Sequence, residues 1–158
     1  MIQDLSYLDD SAARDAILRI ADESALCIKP QEAPMARDIA EEYLEEVREA
    51  GRLLYLRPGR GRGMGFDGAS GLWLLVALPV IVGCLGNLMA EAGVRAFEAL
   101  CERGARSSAL LSPARIRPAL DAHARLAGLT QADVERLSAI VSGVLIALAT
   151  EGDANSRP

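Results

Sequence analysis

The sequence predicts a mainly α-helical domain built around one long apolar helix, and three observations predict it. Between Asp67 and Glu91 no residue carries a formal charge. A second uncharged run, LSAIVSGVLIALAT, extends from Leu137 to Thr150. Aromatic residues are only 4% of a chain that is 51% hydrophobic, so the apolar content is mostly Leu, Ala, Val and Ile, which suits helices better than sheets. The long helix is expected over 69–103 with a kink at Pro79, and the C-terminal apolar helix over 131–150. A small two-stranded element at 25–29 and 52–57 is expected beside them. The resulting organisation is an N-terminal amphipathic part (1–57), an Arg/Gly hinge (58–68), an apolar helical part (69–150) and a polar tail (151–158).

The first helix occupies much of residues 1–26, with Asp9, Asp10 or Ser11 as its cap. Ile17, Ile20 and Leu26, with Ala13 and Ala21, form its apolar stripe, and charged residues cover the rest. ALCIK at 25–29 ends at Pro30 and reads as a strand, with the end of the first helix as the alternative. A second helix starts at Pro34, which suits a first helical turn, and stops at Ala50 before Gly51. Ile39, Tyr43 or Leu44, and Val47 mark its buried face; Glu41, Glu42, Glu45, Glu46 and Glu49 mark a solvated one. RLLYLR at 52–57, bounded by Gly51 and Pro58, reads as a strand.

PGRGRGMGFDG at 58–68 is a hinge by composition. Its GMGFDG portion matches G-x-G-x-x-G. However, Asp67 places a negative charge where a phosphate would sit, and too few strands follow to form a nucleotide-binding sheet. No nucleotide or other cofactor is expected. Past Glu91 the long helix becomes amphipathic, with Val94, Phe97, Leu100 and Cys101 on one face. Pro79 removes one backbone hydrogen bond from it. A further helix starts at Ser112–Pro113 and ends near Gly128, and Thr130 caps the last. Around GLTQADV the sequence resembles the opening of a bacterial helix-turn-helix repressor, which would imply DNA binding. It then continues through IVSGVLIALA without a turn or a basic recognition helix. A formal charge of −5 also disfavours nucleic acid as a partner.

No catalytic set emerges. The sole histidine, His123, has no Cys or paired carboxylates in metal-ligand spacing, and reads as a surface or interface residue. Cys27, Cys84 and Cys101 read as small hydrophobes, not as a disulfide framework or metal site. Arginine far outnumbers the single Lys29, which fits a GC-rich bacterial genome. The start MIQDLSYLDD is acidic where a secretory leader would be basic, so no leader is expected.

The function expected from these features is non-enzymatic. A run of roughly 20 apolar residues is long enough to cross a bilayer. Leu72, Leu75, Val76, Pro79, Ile81 and Leu85 would form the membrane-facing segment, with Trp73 as interfacial anchor. Arg57, Arg60 and Arg62 would meet lipid headgroups or a partner, and their position puts the N-terminus in the cytoplasm, at a bacterial inner membrane. Ala139, Gly143 and Ala147 recur on one face of the last helix; Gly86 and Ala90 do so on the central one, with Gly93 close by and Asn87 adjacent as a residue that seeks a hydrogen bond across the contact. Such small faces let helix backbones approach closely. They are expected to pack on each other or on copies of themselves, so that Gly143→Leu would disrupt assembly or folding. The chain is thus expected to be a membrane-associated subunit that self-assembles as a channel, pore or anchor. The alternative is a cytoplasmic, soluble all-α oligomerisation or adaptor module with the apolar helix in its core or at a subunit interface.

Overall fold

The computed structural model describes residues 5–54 and 72–156, without the side chains of 108 and 152–156. The described residues form six α-helices and three short 3-10 turns, with no strand among them. Helix α1 is Ser11–Ile28, α2 Ala36–Ala50 and α3 Trp73–Ala92. Helix α4 is Phe97–Arg106, α5 Pro113–Ala127 and α6 Gln131–Ser156.

The local capping chemistry determines most boundaries. Asp10 is the N-cap of α1, and its carboxylate accepts from the Ala12 N–H at 2.9 Å. Gly51 ends α2 in the left-handed region at φ 67°. Ile39, Tyr43, Leu44 and Val47 of α2 are all buried, as the periodicity predicts. On α1 the stripe holds at Ala13, Ile17, Ile20 and Ala21 but fails at Leu26, which is 63% exposed.

The two-stranded element is absent from the described residues. Ala25–Ile28 is the last turn of α1, and the Lys29 N–H closes it onto the Ala25 carbonyl at 2.9 Å. Ala25 is buried, Ile28 half-buried, and the two residues between them are exposed. That spacing belongs to a helix, not to an alternating strand. Residues 52–54 follow Gly51 without strand structure, and 55–57 lie outside the described residues.

The expected helix over 69–103 is two helices. Gly93 adopts φ 68°, its N–H bonds the Ala90 carbonyl, and the Val94 N–H bonds the Met89 carbonyl. This Schellman arrangement satisfies the last carbonyls of α3 and turns the chain, so α4 begins afresh at Phe97. Helix α3 continues through Pro79, and residues 69–71 lie outside the described residues. At the other end of the chain α6 passes the expected boundary at 150 and reaches Ser156.

Helix α3 is the central element, with α1, α2 and α5 along its length and α4 near its carboxyl end. Helix α6 closes the bundle against α1, α4 and α5. Side-chain bonds fix the helix directions. The Tyr7 hydroxyl, just before α1, donates to the Val82 carbonyl at 2.5 Å, and Glu32, just after α1, meets the start of α3. Helix α1 therefore runs antiparallel to α3. Asn87 donates to the Ala119 carbonyl and His123 lies against Gly83, so α5 is antiparallel to α3 as well. Every residue from Val76 to Leu85 is buried.

Candidate functional site

The apolar helix is anchored by polar groups at both ends. Its first N–H groups have no intrahelical acceptors. Glu32, 4% exposed and held in the turn Pro30–Met35, supplies them from outside the helix. One carboxylate oxygen accepts from the Trp73 N–H at 2.9 Å and the other from the Leu74 N–H at 3.0 Å. The negative charge also faces the positive end of the helix dipole. Trp73, expected as an interfacial anchor, is buried instead, and its indole N–H donates to Asp133 of α6 at 3.0 Å. At the far end, the Arg103 guanidinium donates to the Ala92 carbonyl.

At Gly83 the His123 side chain of α5 sits directly over the α3 backbone. A Cβ added there would lie 2.5 Å from three atoms of the His123 imidazole. The missing side chain makes room for the ring, which is half-buried on α3. Burial lowers the His123 pKa, because the charged ring loses hydration. An unfolded histidine titrates near about pH 6.5. The folded chain therefore binds this proton less readily, and its contribution to stability is present above that pH and lost as pH falls towards the lowered pKa. We expect the melting temperature to decline as pH falls below about 6.5, and His123→Gln to flatten that decline. Thermal scans across the range provide the check.

Leu75, Val76, Pro79, Ile81 and Leu85 are buried against the chain's own helices, and Leu72 is half-buried at the entrance to α3. Gly86 and Asn87 are half-buried, with the Asn87 amide 3.4 Å from the Ala119 carbonyl of α5, while Ala90 is exposed. On α6, Ala139 and Gly143 face outward and Ala147 is half-buried. The two small-residue faces are thus not brought together within the chain. A Cβ on Gly143 would meet nothing within 4 Å. Around it lie Ile146, 38% exposed, Thr150, also exposed, and half-buried Ile140. No charge interrupts this outward face between Arg136 and Glu151. Arg57, Arg60, Arg62 and the GMGFDG motif lie outside the described residues.

Among the described residues no three His, Cys, Asp or Glu side chains converge as metal ligands. Glu32, Arg103 and the Gly83–His123 contact were not legible as a group in the sequence. The one local hint was an acidic residue in the proline-flanked stretch PQEAP. No family model matches the chain, and no curated protein or solved structure matches it either.

Proposed function

We propose that the chain is a non-enzymatic adaptor module of the cytoplasm, a bundle folded around α3 that self-associates through the outward face of α6. One observation carries the reading: 83% of the most apolar window of α3 is buried inside a single copy of the chain. A helix meant for lipid keeps its apolar surface available, whereas here α1, α2, α4 and α5 occupy it. The uncharged face around Gly143 is the surface left over for a second copy.

Cell fractionation tests the first half. The tagged protein is expected in the supernatant without detergent, and recovery only in the membrane pellet overturns the reading. Gly143→Leu tests the second half. The open space at Gly143 leaves the fold intact, and removing a helical glycine is expected to raise stability by about 0.5–1 kcal/mol. In light scattering the wild-type chain should form a discrete oligomer and the variant a smaller species. Equal masses remove the α6 interface.

A second reading has its own support. Trp73–Ala92 is a 20-residue helix with mean hydropathy 2.1 over its apolar window. On a trigger the bundle would open and α3 would enter a bacterial inner membrane, with Arg57, Arg60 and Arg62 against anionic headgroups. Flotation with anionic vesicles, run both at neutral pH and under mildly acidic conditions that loosen the bundle, discriminates the readings: a chain that floats in either supports insertion, and one that stays at the bottom in both favours the adaptor.

A further inference from the structure

The end of the bundle near α4 carries a groove of about 600 Å³ between α1, α4 and α6. Helix α4 builds one side of it with two adjacent rows. Phe97, Cys101 and Ala105 recur every fourth residue and line the groove, and Glu98, Glu102 and Arg106 form the neighbouring row. Ala12 and Asp15 of α1 and Leu148 and Ala149 of α6 complete the lining. Small side chains at Ala12, Cys101, Ala105 and Ala149 leave the space open.

The lining is apolar at depth and charged at the edge. Phe97 and Ala149 are buried, while Asp15, Glu98, Glu102 and Arg106 are exposed. Three carboxylates against one guanidinium give the rim a net negative charge. Burial raises the Cys101 thiol pKa to about 11, and the negative charges of Asp10 and Glu98 add to the rise. No buried charged group stands ready to orient a small molecule, which sites for such ligands usually provide. The arrangement suits a helix that lays apolar side chains into a groove and keeps its charges in water.

We propose that this groove receives a basic amphipathic helix of a partner protein, its apolar side chains on Cys101, Ala105 and Leu148 over the buried Phe97 and its cations against Asp15, Glu98 and Glu102. Arg106, at one end of the rim, favours an acidic residue at that end of the incoming helix and so selects its direction. The inference rests on the adaptor reading above and gives it a partner surface distinct from the α6 face around Gly143.

The cysteines supply the readout. Cys27 is exposed on α1, Cys84 is buried, and Cys101 lies in the groove. The probe is a leucine–lysine peptide of about 18 residues with helical apolar spacing, and its leucine–glutamate counterpart is the control. Full-length protein is alkylated with excess N-ethylmaleimide over an extended time course, because a thiol raised to about 11 presents little thiolate, and each cysteine is followed by mass spectrometry. The basic peptide should bind about tenfold or more tightly than the acidic one. It should slow Cys101 modification and leave Cys27 unchanged. Glu98→Lys combined with Glu102→Lys should abolish that protection, and the milder pair Glu98→Gln and Glu102→Gln should weaken it with an unchanged melting temperature. A bound peptide that leaves Cys101 modification unaltered overturns the proposal, as does equal binding to the glutamine pair. Recovery of the chain only with membranes would instead defeat the adaptor reading itself, so the two failures are distinguishable.

Discussion

Replacing Glu32 with alanine is expected to lower the unfolding free energy by about 3 kcal/mol, because two hydrogen bonds to a charged group are lost together. The Trp73 and Leu74 N–H groups would then be left unpaired where water has little access. For a chain of this size the loss corresponds to a fall in melting temperature of roughly 10 °C. Glu32→Gln keeps one acceptor oxygen and drops the charge, so about half of the effect should remain. Denaturant titration of the three proteins gives the comparison. If Glu32→Ala matches wild type, Glu32 is not what holds the start of α3.

Gly83→Val should be comparably disruptive. The new side chain must displace the His123 ring, and overpacking of this kind costs about 1–3 kcal/mol, sometimes more. The cause can be isolated with a second change. His123→Ala clears the space, so the double variant should be more stable than the sum of the single effects by at least about 1 kcal/mol. Strict additivity would mean that the imidazole is not what Gly83 accommodates.

Features set by a few neighbouring residues were legible in the sequence. Asp10 as a cap, Gly51 as a stop and the Ile39–Val47 stripe each depend on chemistry within one or two helical turns. Misreadings arose where two local interpretations competed. Gly93 was absorbed into a long helix because Val94, Phe97 and Leu100 continue an apolar pattern, yet its left-handed backbone ends α3. ALCIK has the length and the following proline of a strand or of a helix end, and Ala25, which continues the buried phase of α1, decides for the helix. The polar anchors of α3 were invisible for a different reason. Glu32 reaches residues about 40 positions away, and no periodicity encodes that distance. The composition of α3 likewise left its surroundings open. Burial of Val76–Leu85 depends on how the faces of α1, α2 and α5 converge on it, which is a property of the assembled bundle.

The order of the helices along the chain leaves α3 waiting for one of its walls. Helix α3 ends at Ala92, and the helix that packs most extensively on it, α5, is complete only at Ala127. At typical elongation speeds of about 5–20 residues per second, roughly 2–7 s separate the two. During that interval α1 and α2 are already made and available to α3, but the flank that α5 covers in the finished bundle has no partner. Each new copy therefore goes through a stage in which one flank of its most apolar helix has no partner, and that flank stays uncovered until the residues of α5 have been made.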